Sequence, residues 1–155
     1  MSFREKHLWI SVFTTVGVWS VYFHQLVERI LRGGMDDSRF AVVTGVAFAG
    51  AVFVVAAIEV VLTLLATATT AKVDRETRDE RELLAAFKAS HVSMSLLIVL
   101  VISLASAAWL SGLTQQPLFT GPAAMVVLAN LLVACVVLSE LTRFGFTLYL
   151  LRRGR

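Results

Sequence analysis

The sequence predicts an all-α integral membrane protein, a four-helix bundle built from two antiparallel hairpins. Hydrophobic residues make up 57% of the chain and charged residues only 16%, whereas soluble domains contain about 25% charged residues. Four apolar stretches each reach the roughly 20 residues that a helix needs to cross a bilayer core of about 30 Å. Lysine and arginine are concentrated in alternate connections. A single orientation of the four spans therefore places most of them on one side of the membrane.

The first helix is predicted over residues 8–31 and the second over residues 40–71. A cleaved signal peptide would have an apolar region of about 7–15 residues that ends at small residues. The uncharged run from Leu8 to Leu26 is longer and ends in bulky residues, so we expect a retained span. The second helix is interrupted only by Glu59 and is longer than the bilayer core, so its last turns should project from the membrane.

The third helix is predicted over residues 89–112 and the fourth over residues 122–151. The fourth begins at Pro122, because proline is well suited to the first turn of a helix. The connector at residues 72–88 is densely charged and contains neither glycine nor proline, which predicts that it continues as helix. The whole chain then forms one transmembrane domain.

The distribution of basic residues predicts that both termini are cytoplasmic. Three of the basic residues, Arg29, Arg32 and Arg39, flank the turn between the first two helices. The other eleven lie on the opposite side, in the N-terminal segment, the connector and the end of the chain. Because cytoplasmic loops are enriched in lysine and arginine, the larger set should be cytoplasmic.

Matching landmarks in the two halves indicate a weak internal repeat, with chance similarity as the alternative. An Arg-Glu pair precedes the first and third helices, and Glu59 lies late in the second helix as Glu140 does in the fourth. Parallel repeats about an axis along the membrane normal are a known arrangement in membrane proteins.

Four polar side chains in or near the spans are candidates for a ligand or proton site: Glu59, Asn130, Glu140 and Arg143. A charged side chain at the centre of a span costs about 2.5–3.5 kcal/mol on insertion scales, so such groups usually face the bundle. Glu140 and Arg143 are three residues apart and could pair on one helix face. Glu59 should lie at a similar depth, where Arg143 could bridge the two carboxylates.

Two of these residues also have purely structural interpretations. Glu59 begins a polar stripe with Thr63, Thr67 and Thr70, which could serve interhelical hydrogen bonding instead of a ligand or a proton. Asn130 lies in an apolar part of its helix, where an amide usually bonds to a neighbouring helix.

No catalytic or metal-binding pattern is present in the sequence. We find no nucleophile–base pair, no phosphate loop and no metal cluster, so an enzyme, a cofactor or a metal is not expected. His24 and His91 are predicted at opposite membrane faces, and Cys135 is the single cysteine of the chain.

The connector is a candidate docking surface for a cytoplasmic partner through alternating charges: Arg78, Asp79, Glu80, Arg81 and Glu82. The alternative is a solvated helix with local salt bridges. Nucleic-acid binding normally uses a basic patch, so direct contact with nucleic acid is not expected.

Three short motifs together resemble a family of small four-span bacterial inner-membrane proteins. They are Arg4-Glu5-Lys6 before an aromatic first helix, the charged stretch that ends at Glu82, and an ending with Asn130-Leu131, Glu140-Leu141 and Arg152-Arg153-Gly154. The family motif reads D-E-R-D, whereas this chain has Glu82 in the last position. Members are often encoded beside helix-turn-helix regulators, which implies a multi-pass protein of the bacterial inner membrane with such a regulator as its partner.

Three functions therefore stay open at this point. The first is a membrane-embedded regulatory protein that senses a signal and sequesters a DNA-binding regulator. The second is a small proton-coupled transporter that uses Glu59, and the third is an accessory subunit of a larger membrane complex. We also expect a homo-oligomer, because Gly45, Ala49 and Gly50 begin a small-residue surface on the second helix that permits close helix approach.

Overall fold

Four long helices form the structure, a computed structural model that describes residues 3–37, 39–69, 80–113 and 122–153. The helices are α1 (Phe3–Leu31), α2 (Phe40–Thr69), α3 (Glu80–Leu113) and α4 (Pro122–Arg153). A single 3-10 turn, Gly34–Asp36, lies between α1 and α2. Each helix is long and apolar enough to cross a membrane. The all-α four-helix bundle predicted from the sequence is confirmed, and its apolar helices indicate a multi-pass membrane protein.

Two helices extend beyond their apolar cores into the charged segments beside them. α1 begins at Phe3 and α3 begins at Glu80, within the charged connector. Lysine, arginine and glutamate are good helix formers, and no glycine or proline interrupts either extension. Between α1 and α2, Gly33 has a left-handed backbone with φ of 77°, a conformation that glycine adopts without steric strain where a helix ends.

α4 is the central helix of the bundle, because α1 and α3 both pack extensively against it. The α3 surface in this contact consists of small residues at steps of four, Ala85, Ala89 and Ser93, and Ala89 is 0% exposed. The Ser139 hydroxyl donates to the Ser93 carbonyl at 2.9 Å, and the two serine hydroxyls are 2.8 Å apart. Small side chains allow this close approach of the two helices.

The packing departs from the twofold pattern that an internal repeat would produce. α1 packs against both α2 and α4, so a repeat would pair α3 with α2 as well as with α4. Among the described residues, α3 packs substantially on α4 alone. The resemblance between the two halves therefore does not extend to how their helices pack.

Large apolar side chains cover the outside of the bundle. Phe13, Phe53, Phe87 and Met125 are each at least two-thirds exposed, and they lie on all four helices. Soluble monomers rarely expose contiguous apolar surface on this scale. The hydrocarbon core of a membrane solvates such a surface, which agrees with the four membrane-crossing helices.

Candidate ligand site in the membrane

A stripe of polar residues on α1 faces the interior of the bundle. His7, Ser11, Thr15 and Trp19 recur at steps of four, so they lie along one side of the helix. Ser11 and Thr15 are buried, at 2% and 6% exposure, and His7 and Trp19 are half-buried. All four line one cavity of about 510 Å³. We call this the inner cavity.

The charged residues predicted on α2 and α4 line the same inner cavity. Glu59 of α2 and Glu140 and Arg143 of α4 all border it. The structure therefore brings together the two carboxylates that the sequence placed at similar depth. The remaining walls are apolar and include Phe144 and three valines. Cavities of about 300–1,000 Å³ are typical of small-molecule sites, so the inner cavity is large enough for an organic ligand.

The guanidinium of Arg143 is held from two sides. Arg143 donates to the Glu140 carboxylate at 2.5 Å, and its guanidinium carbon lies 5.0 Å from the centre of the Phe144 ring. The intrahelical ion pair predicted from the spacing of Glu140 and Arg143 is thus present. An ion pair lowers the cost of keeping both side chains near the apolar membrane.

Glu59 and Glu140 lie far along their helices from Phe40 and Pro122, so we expect both carboxylates near one boundary of the membrane. Glu59 follows Phe40 by 19 residues, and Glu140 follows Pro122 by 18 residues. At about 1.5 Å per residue, both carboxylates are roughly 27–28 Å from those helix ends. That distance is close to the full thickness of a bilayer core, about 30 Å. With the orientation predicted from the basic residues, this boundary is the cytoplasmic one.

Asn130 lies in a different cavity, although the sequence grouped it with the charged residues. An outer cavity of about 320 Å³ is lined by Asn130 together with Tyr22 and Thr44. Tyr22 donates its hydroxyl hydrogen to the Asn130 side-chain oxygen, so the predicted bond between Asn130 and a neighbouring helix is present. The Asn130 amide also donates to the Val126 carbonyl at 2.7 Å. Thr44 is 3% exposed, and its hydroxyl has no hydrogen-bond partner in the structure.

An aromatic cluster lies between the inner and outer cavities. Trp19 lines the inner cavity, whereas Tyr22 and Phe48 line the outer one. The Trp19 and Phe48 ring centres are 6.1 Å apart, and the Trp19 and Tyr22 rings meet edge to face at 5.6 Å. The two cavities therefore follow one another along the space between α1, α2 and α4, with aromatic rings between them.

A third concavity, of about 500 Å³, lies between α1 and α2 and is almost entirely apolar. Thr14, Tyr22 and Gln25 are the polar residues among those that line it. No charged residue is among those that line it.

Several other residues singled out in the sequence fall outside the part of the chain that the structure describes. Arg78 and Asp79 fall outside the described residues, as does Thr70 of the predicted threonine stripe. Glu82 is half-buried near the start of α3. Among the described residues, no three histidine, cysteine or acidic side chains cluster as a metal site.

The α1 residues that line the inner cavity were not predicted from the sequence as site residues. His7, Ser11 and Thr15 carry the same step-of-four signal that marked Glu59 on α2, but they are spread among aromatic residues. Serine and threonine are common in membrane helices, so the pattern alone does not distinguish a cavity wall from helix packing. No family model matches the chain, and no similar protein was found among curated proteins or solved structures.

Proposed function

We propose that the protein is a regulatory protein of the bacterial inner membrane that binds a small ligand, or a proton, in its inner cavity. The observation that supports this best is that Glu59 and Glu140, from two different helices, line one cavity. Ionisable groups in membrane spans are expensive to maintain and usually mark a functional pathway or site. If Glu140 and Arg143 formed only a structural ion pair, Glu59 would not be needed on another helix.

The helix α2 links the inner cavity to the charged connector. Glu59 lies on α2, and the residues that follow α2 lead to the charged sequence at residues 78–82. A ligand that alters how α1, α2 and α4 pack around the cavity would shift the start of that connector. In this proposal the connector holds a cytoplasmic helix-turn-helix regulator, and occupancy of the cavity controls its release. The resemblance to four-span bacterial proteins supports this choice of partner.

Charge reversal in the connector tests the docking step. The variant Asp79→Lys, Glu80→Lys, Arg81→Glu should lose co-purification of the proposed helix-turn-helix regulator, because complementary charges determine which partner binds. Reversing the charges of Asp37 and Arg39, in the turn between α1 and α2, is the matched control and should leave co-purification of the regulator unchanged. Unchanged capture by the connector variant would reject docking at these residues.

A second function, proton-coupled transport, is favoured by the two cavities in series. The inner cavity carries acidic residues, the outer cavity is uncharged with a few polar residues, and aromatic rings lie between them. A transporter needs access from both sides to a site near the membrane interior. In proteoliposomes supplied with tetraphenylphosphonium, Glu59→Gln should then abolish proton flux that depends on this cation, while Glu28→Gln should not. Flux that survives Glu59→Gln would reject this function.

The protein is also proposed to form a homo-oligomer through a small-residue face of α2. Gly45, Ala49 and Ala56 lie within about 40° of one another around the helix axis, whereas Gly50 lies about 140° from Gly45 and lines the concavity between α1 and α2 instead. Gly45, Ala49 and Ala56 are exposed, and a methyl group added at Gly45 would meet no atom within 4 Å. The bundle therefore leaves this close-packing surface free for a second copy.

A further inference from the structure

We infer that the inner cavity binds an amphipathic organic cation, that is, a hydrophobic body carrying one positive charge. This inference rests on the proposed function and specifies the ligand class of its site. Three properties of the cavity lead to it: the sign of its charges, the chemistry of its walls and its depth in the membrane.

The charges of the cavity favour a cation over an anion. Glu59 and Glu140 contribute two formal negative charges to the lining and Arg143 contributes one positive charge. An anion would bind best to the guanidinium, but Arg143 already donates to Glu140 at 2.5 Å and lies over the Phe144 ring. An anion would have to compete with that carboxylate, whereas a cation adds a favourable interaction to the acidic groups.

The walls of the cavity suit a hydrophobic body. Leu8, Val55, Val136 and Val137 are apolar, and Trp19 adds an indole ring. The face of an aromatic ring attracts a cation as well as packing against apolar groups. Ser11 and Thr15 add two hydroxyl groups to the same space. The cavity volume of about 510 Å³ is sufficient for several rings or a branched chain.

The polarity of the cavity matches the way an amphipathic cation sits in a bilayer. Glu59, Glu140 and Arg143 are the ionic groups of the lining and are expected near the membrane boundary, with Trp19 deeper in the membrane. His7 precedes Trp19 by 12 residues, or about 18 Å along the helix. Amphipathic cations concentrate at the interface, with the charge at the headgroups and the apolar body among the acyl chains. Such a ligand would enter from the membrane already oriented for the cavity.

The test uses tetraphenylphosphonium, a hydrophobic cation, and tetraphenylborate, an anion of nearly the same size and shape. Titration calorimetry on the full-length protein in nonionic detergent should show saturable binding of tetraphenylphosphonium and none of tetraphenylborate. Glu59→Gln should weaken cation binding at least tenfold, and Arg143→Gln should strengthen it severalfold. Glu28→Gln, outside the cavity, should leave it unchanged. Opposite changes at Glu59 and Arg143 follow from charge, because loss of folding could not increase affinity.

Three results would overturn the inference, and two of them concern binding that does occur. One is equal or tighter saturable binding of tetraphenylborate, and the other is cation binding that Glu59→Gln leaves unchanged. An absence of any saturable cation binding by the folded wild-type protein would also reject it. The proposed regulatory function is measured separately, by capture of the regulator. Capture without cation binding would reject only the ligand class, and cation binding without capture would reject only the regulatory role.

Discussion

The hydrogen bond between Tyr22 and Asn130 joins α1 to α4 in the outer half of the bundle. No water is available in the hydrocarbon core to replace a lost partner, and the competing state also finds partners within the membrane. Measured values for such bonds are therefore modest, about 0.6 kcal/mol on average and up to about 1.7 kcal/mol. The bond should contribute to stability and fix the facing sides of α1 and α4.

Removal of the Tyr22 hydroxyl tests that contribution. Tyr22→Phe should lower the free energy of unfolding by about 1 kcal/mol, because Asn130 loses its interhelical donor and the packing of the ring is kept. Reversible unfolding in mixed micelles of increasing dodecyl sulfate content measures this value. Tyr149→Phe, at an exposed tyrosine near the end of α4, is the matched control and should change stability little. Equal stability of both variants would contradict the assignment.

The sequence predicts that Asn130 bonds to a neighbouring helix, but it does not predict Tyr22 as the partner. An amide in an apolar helix has few explanations, so Asn130 was expected to bond to a neighbouring helix. Tyr22 lies near other aromatic residues at the end of α1, where an aromatic belt explains a tyrosine equally well. The same ambiguity concealed His7, Ser11 and Thr15, whose roles depend on which side of α1 meets α2 and α4.

In the described part of the chain, α3 packs substantially against α4 and against no other helix. Its contact with α4 depends on small residues, and Ala89 is completely buried there. A larger side chain at this position cannot turn away without separating the two helices. Overpacking of a close contact costs about 1–3 kcal/mol, and α3 has little other contact to compensate.

Ala89→Leu should therefore destabilise the α3–α4 pair by about 1–3 kcal/mol. The same unfolding measurement gives the loss of stability. Disulfide cross-linking between cysteines introduced into α3 and α4 would show whether the two helices have separated. Ala107→Leu places the same substitution on an exposed position of α3 and should be tolerated. A similar loss from both variants would mean that the helix, and not its contact with α4, is sensitive to leucine.

The helices themselves were more predictable than their packing. Span length and apolar composition fix four helices, because a bilayer requires about 20 apolar residues in each. Apolar side chains cover nearly every face of α2 and α3, however, so no hydrophobic stripe marks the face that packs. In lipid the driving force between helices is close packing and not burial from water. The central position of α4 therefore became visible only in the structure.

At the scale of the whole molecule, the small-residue face of α2 predicts self-association. Ala49→Leu should reduce the oligomeric fraction in bilayers, since a bulky side chain prevents close approach of two α2 helices. Single-molecule photobleaching of the labelled protein in liposomes counts the copies. Ala57→Leu lies on a different side of the same helix and should have little effect. An unchanged oligomeric fraction in Ala49→Leu would reject this interface.

The side of the membrane on which the inner cavity opens depends on the orientation of the chain, which follows from eleven basic residues on one side and three on the other. A variant without Cys135, the single cysteine, allows new cysteines to report the two sides. Met35→Cys, in the 3-10 turn, should react with a membrane-impermeant maleimide in intact spheroplasts. Arg153→Cys, at the end of α4, should react only after the membrane is permeabilised. The reverse pattern would move the carboxylates of the inner cavity to the outer boundary, where a cytoplasmic regulator could not respond to them directly.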